Sequence, residues 1–220
     1  QTPNPPDPQT PNPPDPQTPN PPDPQTSNPS NPPTSPASTG STDDIFSLEK
    51  IKKIKKKGKT FGLMTNTASL LNTPLFFVSE ARTRAHKNQT VNGSLSVRYN
   101  TKGYKVGLTS NFSNWEKIEI VPTSDGNYTL FSKAKSPGYY LSNITKTGAE
   151  FNTKTLTDAV SLNLFFNSNG TFTFQPTDNT TQYLSTNSKT ALYLGARTDV
   201  SADIGDQYAQ NYILYNANSN

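Results

Sequence analysis

The sequence is poor in the residues that carry most protein chemistry: its 220 residues contain no cysteine, one histidine, one methionine and one tryptophan. Without cysteine, the chain has no disulfide scaffold, no thiolate metal site and no cysteine nucleophile. A single histidine excludes a histidine-rich metal site and disfavours a Ser-His-Asp triad. No apolar run approaches the ~18–20 residues of a transmembrane helix. These absences predict a protein that is not an enzyme and that holds no metal or cofactor.

Proline is unevenly distributed, with 16 of its 20 copies in residues 1–36. Residues 1–24 are three copies of QTPNPPDP, and residues 25–36 are a decayed fourth copy. Each proline lacks an N–H and pushes the preceding residue toward β or polyproline II conformation, and no apolar group offsets the ordering entropy. We predict that residues 1–40 are a disordered or polyproline II stalk. A polyproline ligand is the alternative, but such motifs usually carry a basic residue and the tail is only acidic.

Residues 41–59 form a basic segment, in which seven of the last ten residues are lysine. Isoleucine and leucine recur every three residues from Ile45 to Ile54, an aspartate precedes them and Gly58 follows them. This pattern predicts a short capped helix, and a first β-strand through Lys53–Leu63 is the alternative.

The lysines of this segment are a candidate patch for an acidic surface, made of Lys52, Lys53, Lys55, Lys56, Lys57 and Lys59. Such a patch suits a polyanionic glycan or an anionic lipid. No aromatic residues are interleaved with the lysines, so we expect no specific nucleic-acid binding. The alternative interpretation is the solvated face of a linker.

From Phe61 onward, β-branched and aromatic runs alternate with turns rich in Gly, Asn, Asp and Ser, which is typical of β-strands. Eleven such runs are Leu95–Tyr99, Tyr104–Leu108, Trp115–Val121, Tyr128–Phe131, Tyr139–Leu141, Ala149–Phe151, Leu162–Phe166, Thr171–Phe174, Tyr183–Leu184, Leu192–Leu194 and Tyr212–Tyr215. Their close spacing, with no helical period between them, predicts an all-β sandwich or barrel.

An internal repeat distinguishes these two architectures. Asp125–Leu130 is echoed 44 residues later by Asn169–Phe174, and each copy is followed by an aromatic-Leu-Ser motif, at Tyr140 and at Tyr183. Each copy then closes with an aromatic-rich strand, as an earlier unit does at Trp115–Val121. Three such units predict a pseudo-symmetric barrel.

The predicted fold is therefore a single β-trefoil over residues 60–220. Each unit would contribute two strands to a barrel and two to a hairpin cap. The opening of the first unit is less regular, and we predict Phe76-Phe77-Val78-Ser79 as its aromatic-x-Ser strand.

The segment Asn114-Trp-Glu-Lys-Ile-Glu-Ile-Val121, followed by Asp125-Gly-Asn-Tyr-Thr-Leu and Tyr140-Leu-Ser, resembles a fascin-like β-trefoil repeat over about residues 100–215. In that family, these motifs fill core and turn positions. The resemblance implies a trefoil of a kind found in intracellular actin cross-linkers and in sugar-binding modules of secreted proteins. The Gln-x-Trp signature of ricin-type lectins is absent, so no sugar-site residues can be transferred from them.

Tyr139, Tyr183 and Asn179 are the candidate ligand contacts on the polar, tyrosine-rich surface. In Tyr139-Tyr140, one ring must face outward if the other faces inward, so we expect Tyr139 to be exposed. Other aromatic residues at period two are predicted to be core residues: Trp115, Phe131, Phe166, Phe172 and Phe174. The acidic residues form no recognisable glycosidase pair, and the spacing of Asp199, Asp203 and Asp206 fits no EF-hand.

Together these features favour a non-enzymatic binding or adhesion module, carbohydrate-binding and secreted or at a cell surface, displayed as a monomeric domain on its stalk. The expected partner is a glycan or a polyanionic surface. One alternative is a fascin-like actin-binding or scaffold domain. Another is an accessory module of a larger secreted enzyme.

Removal of residues 1–36 tests the stalk interpretation. We expect the Tm of the folded domain to be essentially unchanged, because the repeats contain no apolar groups that could dock on it. Thermal unfolding of the full chain and of the truncated chain measures this directly. A loss of several degrees would mean that the repeats pack against the domain.

Overall fold

The computed structural model describes residues 53–56, 58–85, 93–100, 103–186, 191–196 and 208–218. The octapeptide repeats, most of the basic segment and the three aspartates from Asp199 to Asp206 lie outside the described residues. The predictions made for them stay predictions.

The described residues form fourteen β-strands and one short helix. In chain order these are β1 (Lys53–Lys56), β2 (Lys59–Gly62), β3 (Leu75–Ser79), α1 (Glu80–Ala85), β4 (Ser94–Asn100), β5 (Gly103–Thr109), β6 (Lys117–Pro122), β7 (Tyr128–Ser132), β8 (Tyr139–Thr145), β9 (Gly148–Thr153), β10 (Leu162–Phe166), β11 (Phe172–Pro176), β12 (Gln182–Ser185), β13 (Tyr193–Ala196) and β14 (Tyr212–Asn216). The predicted all-β class is confirmed. In this part of the chain, no helix has the length and apolar character needed to cross a membrane.

Six strands form a closed ring of antiparallel pairs in the order β3, β6, β7, β10, β11, β14 and back to β3. The pairs β6–β7, β10–β11 and β14–β3 are each aligned over five residues. The other three pairs are aligned over only one or two residues. A closed ring leaves no free edge, which protects the barrel from pairing with other chains.

Three hairpins, β4–β5, β8–β9 and β12–β13, interrupt the ring along the chain. The first two are joined where β5 pairs with β9. The third is a separate two-stranded sheet. Each hairpin therefore lies between two strands of the ring along the chain, but the three hairpins differ in their pairing with one another.

The three short contacts of the ring carry large apolar side chains into the barrel. Their opposing residues are Leu75 with Ile118, Tyr128 with Leu162, and Phe172 with Tyr212. Five of the six are buried, and Tyr128 packs against them from a partly buried position. Full burial of one such side chain stabilises the fold by about 1.5–3 kcal/mol.

The strand register corrects the predicted opening of the first unit. Ser94 pairs with Val78 as Tyr140 pairs with Phe131 in the next unit. The counterpart of the aromatic-Leu-Ser motif is therefore the Ser-Leu-Ser segment that begins at Ser94, and the prediction for Phe76–Ser79 was wrong. That segment lies within ring strand β3, in which all five residues are buried. Serine stands where the other units have tyrosine, so the motif could not be recognised.

The basic segment contains a β-hairpin where the helix was predicted. β1 pairs with β2, with Lys53 opposite Gly62 and Lys56 opposite Lys59. Gly58 lies in the turn with φ of 77°. The alternative prediction of a β-strand through Lys53–Leu63 is therefore closer to the structure, although the turn at Gly58 divides the segment into two strands.

An aromatic cluster fastens β2 to the barrel. Phe61 is buried, and its ring meets that of Phe76 edge-on with centroids 4.9 Å apart. The ring of Phe112 meets Phe76 at 5.1 Å. Just after β2, the Met64 N–H donates to the Leu214 carbonyl at 2.8 Å. The basic segment is thus held by contacts with residues outside it. These contacts override the helical spacing of its isoleucine and leucine residues.

The turn before β8 requires glycine at position 138. Gly138 has φ of 104°, and a Cβ atom there would overlap the ring of Phe131. That ring is held by Tyr140, with centroids 4.5 Å apart. Gly126, in the turn between β6 and β7, has φ of 80° but nothing within 4 Å of its would-be Cβ.

We expect Gly138→Ala to destabilise the domain well beyond the ~1–2 kcal/mol of a left-handed backbone conformation, because the Phe131 ring must also leave its stack. Gly126→Ala is the matched control and should carry only the backbone penalty. Urea unfolding of both variants gives the comparison. Equal losses would contradict the packing of Phe131 against Gly138.

Candidate functional site

The two tyrosines proposed as ligand contacts lie on separate hairpins. Tyr139 begins β8 and is half-buried against the barrel core, with the Lys154 Nζ atom 5.8 Å from its ring centroid. Its neighbour Tyr140 is also half-buried. Tyr183 is half-buried in β12, opposite Gly195. Tyr139 and Tyr140 are therefore both half-buried, and Tyr139 is not fully exposed.

Asn179 belongs to the turn that precedes β12. Its Nδ2 donates to Gln182 Oε1 at 2.9 Å, and its Oδ1 accepts from Thr181 Oγ1 at 2.9 Å. These hydrogen bonds hold the Asn179 amide within the turn. They use part of its hydrogen-bonding capacity, so less remains for a ligand.

The aromatic residues predicted as core differ in their burial. Phe172 and Phe174 are fully buried, as predicted. Phe131 and Phe166 are half-buried. Trp115 is also half-buried, and it lies in a 3-10 turn, Asn114–Glu116, that precedes β6.

The candidate lysine patch is only partly within the described residues. Lys53, Lys55 and Lys56 belong to β1, and the exposed Lys59 begins β2. Lys52 and Lys57 lie outside the described residues. The patch itself stays a prediction.

A cleft of about 280 Å³ opens where the three hairpins meet, and we call it the hairpin cleft. Its volume is close to the lower end of the range for small-molecule sites. Its lining residues are Lys105, Val106, Asn143, Thr145, Thr147, Gly148, Ala149, Glu150, Ala191 and Leu192. Val106 is half-buried and provides apolar surface, whereas Ala149 and Leu192 belong to the buried core. The cleft therefore combines apolar and polar walls.

A row of three polar residues crosses the cleft on neighbouring strands. Lys105 of β5 is opposite Glu150 of β9, which is in turn opposite Asn143 of β8. Directly opposed residues of antiparallel strands project from the same face of a sheet. The Lys105 Nζ and Glu150 Oε1 atoms are 3.1 Å apart, and the two side chains are 47% and 30% exposed. We call this group the Lys105–Glu150–Asn143 row.

The row keeps hydrogen-bonding capacity that the fold does not use. Among the described residues, none engages the Asn143 side chain, and the Glu150 carboxylate is met only by Lys105. A carboxylate has about four acceptor positions and an ammonium group three donors. The threonines at the rim differ, because the Oγ1 atoms of Thr145 and Thr147 bond each other at 3.1 Å.

The buried carboxylates elsewhere are used by the fold. Glu116 is fully buried, accepts from the Ser113 N–H at 2.9 Å and from Ser96 Oγ at 2.7 Å, and caps the 3-10 turn before β6. Glu80 is fully buried and accepts from Arg84 Nε and Asn211 Nδ2, each at 2.8 Å. Within the described ranges, no group of three or more His, Asp or Glu residues could hold a metal ion.

Asp125 is a turn residue whose carboxyl pKa is lowered by its hydrogen bonds. Hydrogen bonds from Thr123 and Asn127, joined by one from Ser161 Oγ at 2.9 Å, hold the pKa of Asp125 well below its usual range. Asp125 is exposed, and the bond to Ser161 ties the β6–β7 turn to the start of β10. Its role is to fasten a turn.

Sequence reasoning did not find the row in the hairpin cleft. Lys105 and Glu150 are far apart along the chain and meet only because β5 pairs with β9. Glu150 is one of the acidic residues among which the sequence shows no recognisable glycosidase pair. Pairing between hairpins leaves no local signal, so a single sequence could not reveal the group.

Comparison with known proteins supports the fold and gives no family. No protein-family model matches the sequence, and no curated protein matches it. Among solved structures, a chain of a mosquitocidal holotoxin is similar, with a TM-score of 0.50 and 16% sequence identity. The match covers 70% of this chain and 18% of the toxin chain. At this identity the likeness shows the fold alone, and this chain corresponds to less than a fifth of the toxin chain's length.

We expect the Lys105–Glu150–Asn143 row to contribute little to the stability of the fold. We expect Glu150→Gln to change the free energy of unfolding by less than about 1 kcal/mol, because exposed ion pairs contribute little. Glu116→Gln should lower it by about 2 kcal/mol or more, because it weakens a fully buried, hydrogen-bonded carboxylate. Chemical denaturation measures both. A large loss from Glu150→Gln would make the row a structural element.

Proposed function

We propose that residues 60–220 form a single β-trefoil that acts as a non-enzymatic carbohydrate-binding module. The trefoil assignment is supported by the closed ring of six strands, the three intervening hairpins and the likeness to part of the holotoxin chain. The motifs around Trp115 that resemble fascin-like repeats agree with it. The fold alone does not imply a function, so the functional part rests on the site.

The observation that carries this proposal is the Lys105–Glu150–Asn143 row in the hairpin cleft. Sugar hydroxyls both donate and accept hydrogen bonds, and the row offers an ammonium donor, a carboxylate acceptor and an amide that does both. Bonds that involve a charged group are the stronger ones. The half-buried Val106 supplies apolar surface that can contact the C–H face of a sugar ring.

The wider organisation follows from the sequence. Residues 1–40 would hold the module away from a surface, with residues 41–59 as a basic linker, in a secreted or cell-surface protein with a role in adhesion. The lysines of that linker would add attraction to a polyanionic surface. A monomeric module suits a closed barrel without free edges.

A second candidate is an accessory binding module of a larger secreted enzyme. The observation that favours it is that the match with the holotoxin covers only 18% of that chain. The resemblance to fascin-like repeats favours a third candidate, an actin-binding or scaffold domain. Sedimentation with filamentous actin distinguishes this candidate from a glycan-binding module.

Binding of the full, unglycosylated chain to a glycan array tests the proposal. We expect at least one class of glycan to bind, and Asn143→Ala to weaken that binding about 5- to 10-fold through the loss of one or two hydrogen bonds. Asn152→Ala is the matched control, since this exposed asparagine is on the same hairpin and outside the cleft.

A wild-type chain that binds no glycan would contradict the proposed function. Glycan binding that Asn143→Ala leaves unchanged would instead reject the hairpin cleft as its site.

A further inference from the structure

We propose that the Lys105–Glu150–Asn143 row selects neutral sugars, which it holds by two adjacent hydroxyl groups. This inference rests on the proposed glycan binding and names the ligand class of the same cleft. It follows from the charge balance of the cleft, from the unused hydrogen-bonding positions of the row and from the exposure of its ion pair.

The charge balance disfavours acidic ligands. Among the described residues that line the hairpin cleft, the charged ones are Lys105 and Glu150, and they are paired at 3.1 Å. The charges of this pair cancel each other. A sugar carboxylate that approached Lys105 would meet the carboxylate of Glu150 within the same few ångströms, and like charges at that distance repel.

The hydrogen-bonding positions suit a pair of neighbouring hydroxyls. One hydroxyl can donate to Glu150 and accept from Lys105 without breaking the ion pair. The side chain of Asn143 is opposite Glu150 in the strand register, so it can bond the next hydroxyl on the ring. This places the two polar contacts side by side on one face of the sheet.

A second Lys–Glu pair of the molecule provides a comparison. Lys133 Nζ and Glu119 Oε1 are 2.9 Å apart, but the Glu119 side chain is only 10% exposed. Neither residue lines the cleft. A ligand can reach both partners only in the Lys105–Glu150 pair, so Lys133 supplies a control for the loss of a paired lysine.

The test is titration of the full chain with methyl glycosides, followed by NMR and calorimetry. The neutral probes are methyl β-glucoside, methyl β-galactoside and methyl α-mannoside, and the acidic probe is methyl β-glucuronide. The wild-type chain is compared with Glu150→Gln, Lys105→Met and Lys133→Met.

We expect at least one neutral glycoside to bind at least about 10-fold more tightly than the glucuronide, with an affinity that is nearly independent of salt. Glu150→Gln should weaken the neutral glycoside about 10-fold and strengthen the glucuronide, because Lys105 then lacks its counter-charge. Lys105→Met should weaken the neutral glycoside with no gain for the glucuronide. Lys133→Met should change neither.

The inference is overturned if the wild-type chain prefers the glucuronide, if no neutral glycoside binds, or if binding survives both Glu150→Gln and Lys105→Met. In each of these cases, binding of the wild-type chain on the glycan array would still support the proposed function. An array without signal would contradict both this inference and the proposed function.

Discussion

Closure of the barrel depends on three short strand contacts. The long pairs, β6–β7, β10–β11 and β14–β3, would exist in an open sheet as well. The ring closes only where β3 meets β6, β7 meets β10 and β11 meets β14. These contacts offer few backbone hydrogen bonds, each with a net contribution of about 1 kcal/mol. They coincide with large buried side chains worth about 1.5–3 kcal/mol each. Side-chain packing, more than backbone pairing, therefore keeps the ring closed.

The closed ring explains why the candidate site lies among the hairpins. The ring uses its inner face for the core and leaves no free edge, so a site for a ligand is expected on the three hairpins that emerge from it. Two of them are joined through β5 and β9, and the third forms its own sheet. The hairpin cleft lies between them. The row that lines the cleft sits on strands, and a rigid support of this kind holds binding groups in place better than a loop.

Local signals made much of the fold predictable. The eleven predicted runs from Leu95 to Tyr215 correspond to strands β4 to β14, because β-branched and aromatic runs and turn glycines act over a few residues. Features that depend on distant contacts were missed. The spacing of isoleucine and leucine made the basic segment look helical, but its hairpin is held by the packing of Phe61 on the barrel, which leaves no local signal. The role of β3 was misassigned because Ser94 stands where an aromatic residue was expected. The row in the cleft is non-local in the same way, since Lys105 and Glu150 meet only through the pairing of two hairpins.

The most direct test of this account is NMR measurement of cross-strand backbone NOEs at the three short contacts. The closed ring predicts NOEs between Leu75 and Ile118, between Tyr128 and Leu162, and between Phe172 and Tyr212. If the long pairs show their NOEs and any of these three is absent, the sheet is open at that point. The hairpins would then lack the common support on which the cleft depends.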